Sequence, residues 1–239
     1  MAKPFLRAEW RKLVLANYAV NPKILEPYLP YGTELDFWQN KCYVSLVGFM
    51  FLNTKVKGIK VPGHVNFEEV NLRFYVKRTG ENGGVKRGVV FIKEIVPKPM
   101  ITFIANQLFK ENYQTLAMDH LWEEKENNRV VKYVWYKENR ENSILVETDL
   151  KSEKVKENSK EFFITEHYWG YSKGKGNTAN KYEVTHPSWE VYPVKKAEIS
   201  IDFGLTYGNN FDFLNQQQPA SVMLAEGSEI CVGNKKIIS

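Results

Sequence analysis

The chain has 239 residues, of which 43% are hydrophobic and 14% aromatic, enough apolar mass for a large core and too much for a disordered chain. Its 33 Lys and Arg against 28 Asp and Glu give +5; without a long basic run or a basic helix, neither nucleic acid nor an anionic membrane is an expected partner. No window approaches the roughly 20 apolar residues of a bilayer span, and Glu9, Arg11 and Lys12 interrupt what a signal peptide would need, so the expected compartment is the cytoplasm.

In chain order, Leu6 to Val20 fits a helix or a strand. Asn21-Pro22 reads as an N-cap with proline at the first position of a short helix through Leu25, stopped by Leu29-Pro30-Tyr31-Gly32. Tyr43 to Leu52 is apolar on both faces, as in a central strand. Phe67 to Val76 and Arg87 to Val96 form the best strand pair, joined across Thr79-Gly80-Glu81-Asn82-Gly83-Gly84. Pro97 and Pro99 end the second strand, and the apolar spacing from Met100 predicts a short amphipathic helix ending near Lys110. Strands are predicted at Arg129 to Lys137 and Asn142 to Lys151, then a polar stretch to Lys160 that is an exposed loop or a weak helix. Thr178 to Thr185, Trp189 to Val194 and Lys196 to Ile201 read as short strands, and Gly208-Asn209-Asn210 as a turn. Ser221 to Ala225 and Glu229 to Val232 are predicted to form a last hairpin across Glu226-Gly227-Ser228. No repeat or linker divides residues 1–239, so one mainly β domain is expected. Cys42 and Cys231 are too few for a disulfide framework and read as two half-buried thiols.

Candidate chemistry concentrates on the strand pair. Alternation puts Val70, Leu72, Phe74 and Val76 on one face and Glu69, Asn71, Arg73 and Tyr75 on the other. If the polar face looks outward, it is a solvated sheet face with a Glu–Arg pair. If the sheet closes, that face lines a lumen able to hold one small ligand, and the planar fork of Arg73 suits a carboxylate. Lys93 shares this face only if odd positions pair with odd ones. His167, within Glu166-His167-Tyr168-Trp169-Gly170-Tyr171, fits a general base or a hydrogen-bonded core histidine. Weaker signals are set aside. His64 and Glu68 lack the helix their spacing needs as metal ligands, and no metal site is expected. Gly170 to Gly176 is one residue short of a phosphate loop and lacks its Ser or Thr. Lys195-Lys196 is expected in an exposed turn.

Asn17-Tyr18-Ala-Val-Asn21-Pro22, Tyr28-Leu-Pro30-Tyr-Gly32-Thr-Glu34-Leu-Asp36, Phe67-Glu-Glu-Val-Asn-Leu-Arg73-Phe-Tyr-Val, Arg87-Gly-Val-Val-Phe-Ile-Lys-Glu94, Thr165-Glu-His-Tyr-Trp-Gly-Tyr171, His186-Pro-Ser-Trp189 and Ala225-Glu-Gly-Ser228 resemble the YqjF-like family of unknown function. That family is remotely similar to the acetoacetate decarboxylase-like superfamily. The resemblance implies a conical antiparallel or mixed β-barrel with a few peripheral helices. It places Glu69 (or Glu68) at the position of a glutamate of the decarboxylases, and Asn106 to Thr115 opposite their Gly-Arg-Glu…Pro-Lys-Lys motif, whose first lysine forms a Schiff base. By spacing, Gln114 and Thr115 stand where the lysine pair should be, and neither forms an imine. Lys110 is a turn away, and Lys195-Lys196 is in the wrong part of the chain. Schiff-base decarboxylation is therefore not expected.

The expected function is binding of a small, anionic metabolite by Glu69, Asn71, Arg73, Tyr113, Gln114 and Glu166, with no cofactor. Two alternatives accompany it: an enzyme of another kind in the same pocket, with Glu69, Lys93 or His167 handling protons, and a partner-binding protein with a filled barrel. Nothing in the sequence specifies an oligomer.

Overall fold

A computed structural model describes residues 4–80 and 82–239; Glu81 of the predicted turn and Met1–Lys3, the start of the segment read for a signal peptide, lie outside them. The ambiguous N-terminal segment is a strand of 15 residues, β1 (Leu6–Val20). Asn21 accepts a hydrogen bond from the Lys23 amide and caps α1 (Pro22–Leu25), as predicted. The short β2 (Glu34–Leu35) precedes an antiparallel meander of β3 (Cys42–Val56), β4 (Phe67–Thr79) and β5 (Val85–Val96). After α2 (Pro99–Leu108), β6 (Tyr113–Thr115) runs parallel to β5. The next strands are β7 (Met118–Glu124), β8 (Arg129–Lys137), β9 (Arg140–Thr148) and β10 (Glu153–Lys154). Ser159 caps α3 (Lys160–Thr165). The chain closes with β11 (Trp169–Lys173), β12 (Ala179–Thr185), β13 (Glu190–Tyr192), β14 (Val194–Ser200), α4 (Phe203–Tyr207), a 3-10 stretch Asn209–Gln216, β15 (Ser221–Val232) and β16 (Lys236–Ile238).

The larger sheet returns on itself. β15, β1, β3, β4, β5, β11 and β12 follow one another by hydrogen bonding, and β12 meets β15 again through Val184 opposite Val232 and Thr185 opposite Cys231. The resulting ring has an inside and an outside. Leu13, Leu15, Tyr43, Val47, Phe49 and Phe51 point inward, whereas Val14, Ala16, Val44 and Leu46 point outward. The outward set is covered by a second sheet, ordered β14-β9-β8-β7, through Val131, Tyr133, Trp135, Ile144 and Val146. Double burial is why Tyr43 to Leu52 shows no polar alternation. The sheets touch closely at Gly48, where a Cβ would stand 2.8 Å from the Tyr133 ring.

Three expectations change. The final hairpin does not exist: Ser221–Val232 is one strand, and Gly227, at φ +81°, is a kink in it against Trp10 of β1. Lys195 and Lys196 lie within β14, each in an ion pair, with Asp149 at 2.5 Å and Glu198 at 2.6 Å. The turn at Gly208, φ +106°, leads directly into the 3-10 stretch. Cys42 and Cys231 are free thiols. Among the described residues no helix is long and apolar enough to cross a membrane.

Candidate functional site

β4 presents the two faces that its alternation predicts. Val70, Leu72, Phe74 and Val76 join the core beneath the second sheet, and Glu69, Asn71 and Arg73 line a cavity of about 130 Å³ inside the ring. The polar face is therefore a lumen wall.

β5 departs from strict alternation. Asn71 stands opposite Glu94 and Leu72 opposite Lys93, but Arg73 stands opposite Phe91. The extra residue is a bulge, and it switches parity so that Phe91 and Glu94 both face the cavity. Lys93 accordingly points to the outer face, where its Nζ donates to the Thr206 carbonyl at 2.5 Å. The sequence reading that allowed Lys93 into the site is corrected by this bulge. Glu94, which simple alternation placed away from Phe91, takes its place.

Beyond α2 the chain returns to the cavity with Glu111 and Tyr113. Asn106 clamps this return by donating to the Tyr113 carbonyl at 3.0 Å and accepting from its amide at 2.7 Å. Pairing of Tyr113 with Glu94 on parallel strands sets both side chains inward. Gln114 is on the opposite face of β6, outside the cavity lining, and Thr115 bonds Thr102 at 2.7 Å. Gln114 was expected among the ligand contacts; the strand's period of two removes it.

Three carboxyl groups thus meet in one interior. Glu69 accepts from Asn71 Nδ2 at 2.9 Å and from the Tyr113 hydroxyl at 3.1 Å, and the Tyr182 hydroxyl donates to Glu111 at 2.9 Å. Burial raises Glu69 to about 7, against the opposing hydrogen bonds and the Arg73 charge. Burial likewise lifts Glu111 to about 8. Glu94 is pushed well above the usual carboxylate range by burial and then by the like charges of Glu111 and Glu69.

On the other side of Arg73 stands a histidine. His167 Nε2 is 3.2 Å from Asp36 Oδ2, which also accepts from Arg87 Nε at 2.7 Å. Burial would raise Asp36, but the bonds from His167 and Arg87 prevail and hold it below its ordinary value. Burial brings His167 down to about 4 although the Asp36 bond opposes it, so the ring is neutral near pH 7. A neutral ring facing a carboxylate carries its proton on Nε2, leaving Nδ1 as an acceptor. Thr165 and His167 line the cavity, whereas Glu166 between them does not; its carboxylate accepts from the Tyr168 hydroxyl.

Away from the polar cluster the wall is aromatic. Phe51 and Phe67 stack at 4.7 Å, and Trp10 meets Phe49 edge-on at 5.3 Å. Ile101, Ile104 and Ala105 of α2 close one side. No lysine is among the described residues that line the cavity. As for metals, Glu68, Asp119 and His120 each offer one ligand atom within 4.8 Å of the others, outside the cavity; His120 Nδ1 is already held by Glu68 at 2.6 Å. His64 instead bonds the Pro62 carbonyl at 3.0 Å. The residues that a linear reading missed are Glu94, Glu111 and Asp36. Glu94 and Asp36 end two of the segments that carry the family resemblance, but their place at the site is set by the bulge and by the bonds of Asp36 to His167 and Arg87, and that of Glu111 by the return after α2.

A family model, DUF2071 (uncharacterized conserved protein), matches residues 7–229. The uncharacterized protein YqjF of Bacillus subtilis (strain 168) is 33% identical over 79 residues, and the match spans 33% of each chain. Acetoacetate decarboxylase from Legionella pneumophila superposes with a TM-score of 0.65 at 12% identity, covering 100% of this chain and 88% of the other. The enduracididine biosynthesis enzyme MppR, complexed with pyruvate, superposes at 0.67 and 12% identity, covering 100% and 92%. These structures share the acetoacetate decarboxylase-like fold that the sequence resemblance implies.

Proposed function

The chain belongs to the DUF2071 family of uncharacterized conserved proteins, and from that premise we propose that it binds a small carboxylate metabolite inside its ring of strands, in the cytoplasm and without forming an imine. Arg73 carries this proposal. It is 7% exposed, it lines the cavity, its Nε has no hydrogen-bond partner, and its guanidinium stands over the Tyr75 ring at 5.8 Å. A buried guanidinium N–H without an acceptor is costly, and a carboxylate is the ligand that its two-pronged geometry accepts. That MppR, of the same fold, is known with pyruvate bound is consistent with a small acid in this place. The open cavity weighs against an interior filled by side chains.

Thermal shift against keto acids, hydroxy acids and other small carboxylates tests this on wild type and Arg73→Met. A ligand at 100 times its Kd adds about 2.7 kcal/mol of stability. An acid is expected to raise the Tm of wild type and not of the folded variant. If no acid moves wild type, or the variant responds equally, the clamp is refuted.

A second reading, an enzyme that transfers protons in the same cavity, is favoured by the His167–Asp36 pair and its unused Nδ1. Glu69 remains available to it and Lys93 does not. Solvent deuterium entering a carbon of the bound acid, and failing to enter with His167→Gln, is its expected signature.

A further inference from the structure

The polar atoms of the cavity state what its ligand must supply. Five buried side-chain atoms on lining residues have no hydrogen-bond partner: Arg73 Nε, Asn71 Oδ1, Glu94 Oε2, His167 Nδ1 and, at the aromatic end, Trp10 Nε1. Asn71 is 1% exposed and Glu94 2%, so neither looks to bulk solvent. Among the five, Arg73 Nε and the indole Trp10 Nε1 are donors by necessity. The amide nitrogen of Asn71 is spent on Glu69, leaving its carbonyl oxygen. Nδ1 of His167 is a lone pair for the reason given above. A carboxylate satisfies Arg73 and offers nothing to the acceptors.

Charge leads to the same requirement. Glu69, Glu94 and Glu111 share the interior with the guanidinium of Arg73, and no lysine is among the described residues that line it. Burial, and for Glu94 and Glu111 the like charges of their neighbours, shifts all three acids toward the protonated form. A ligand nitrogen with several N–H bonds and a positive charge would satisfy the acceptors and allow a carboxyl to ionise.

We propose that the ligand is a zwitterion of the amino-acid type, with its carboxylate on Arg73, its ammonium between Asn71 and Glu94, and an apolar side chain. This rests on Arg73 as the carboxylate clamp. The spacing suits it. Asn71 is two residues from Arg73 on the same face, about 7 Å along the strand, and directly opposite Glu94. The same face continues past Glu69 to Phe67, stacked on Phe51. Arg73 to Phe67 is six residues, on the order of 20 Å, so the polar and aromatic ends of the cavity are ordered along β4. A side chain leaving the ammonium on the side away from Arg73 heads for the aromatic end.

The test is thermal shift and calorimetric titration of the full chain with leucine, methionine, phenylalanine and tryptophan, each beside its deaminated acid and its decarboxylated amine. One of these amino acids is expected to bind roughly tenfold or more tighter than its own deaminated acid and than its own amine. Glu94→Gln and Asn71→Leu are expected to erase the advantage over the deaminated acid, while the response to that acid stays dependent on Arg73. If a deaminated acid binds as well as its amino acid, the ammonium site falls and the carboxylate clamp stands. If an amine binds as well as its amino acid, and Arg73→Met leaves that unchanged, the clamp and the zwitterion fall together. No response to any of these compounds also overturns the zwitterion. Should a variant fail to fold, the ranking of the three compounds on wild type decides alone.

Discussion

Replacing Glu69 by glutamine tests the acidic interior through stability, without a ligand. The carboxyl of Glu69 has an ordinary value of 4.5 and sits at about 7 in the folded protein, a difference of 2.5 worth about 3 kcal/mol at 1.36 kcal/mol per unit. The sign follows from proton counts. Below pH 4.5 both states hold the proton and the group has no effect. Between 4.5 and 7 the unfolded chain releases a proton that the folded chain keeps, so stability falls as pH rises. Above 7 the full cost is present. Glu94 and Glu111, also raised, act in the same direction. His167, lowered to about 4, acts in the other, costing stability as pH falls below its ordinary 6.5. His186, also lowered by burial, acts with His167; where the windows overlap, three acids outweigh two histidines, and the wild-type Tm is expected to fall from pH 5 to pH 8.5. Glutamine cannot ionise, its carbonyl still receives the Tyr113 hydroxyl, and its amide can be met by the unused carbonyl of Asn71 once that side chain turns. Glu69→Gln should therefore gain on wild type by up to about 3 kcal/mol between pH 5 and 8.5, roughly 6 to 12 °C in Tm for a domain of this size. Scanning calorimetry of both proteins at the two pH values measures it. A difference between them that is the same at both would refute a buried, protonated Glu69.

The remaining expectations concern geometry. Gly227→Ala places a Cβ at φ +81° and 2.0 Å from the Trp10 carbonyl oxygen, so the β1–β15 pairing must shift; a loss of about 3 kcal/mol or more is expected from urea midpoints, and a cost below about 1 kcal/mol would deny the kink. Ser45 donates to Asn17 at 2.6 Å and bonds the Tyr75 hydroxyl at 2.7 Å, all three residues buried. Ser45→Ala should cost about 1 to 3 kcal/mol by the same assay, and an unchanged midpoint would show that the two partners find others. Lys93→Met should leave any ligand-induced Tm shift intact, because Nζ is engaged on the outer face; loss of the shift in that variant would place Lys93 in the cavity and refute the bulge.

How far the linear chain determined this protein can be followed along β4. Its residues alternate between core and cavity wall as the pleat demands, because strand periodicity is local and Val70, Leu72, Phe74 and Val76 need a core on one side only. The motif resemblance carried the fold, and the Asn21 cap, the meander hairpin and the helix opening at Pro99 follow from short-range chemistry. The sequence left open which way the polar face looks, and closure of β12 onto β15, residues far apart in the chain, decides that it looks inward. Register carries no local signature either. One extra residue near Ile92 exchanges Lys93 for Glu94, a cation for an acid, and so changes what the cavity can bind. Gly227 shows the same limit: Glu-Gly-Ser reads as a turn until β1 lies beside it, and then it is the only residue type that lets the strand continue past the Trp10 backbone. Local pattern determines which faces exist; contacts between distant strands decide which of them meet, because each pairing is set by hydrogen bonds whose partner the sequence does not name.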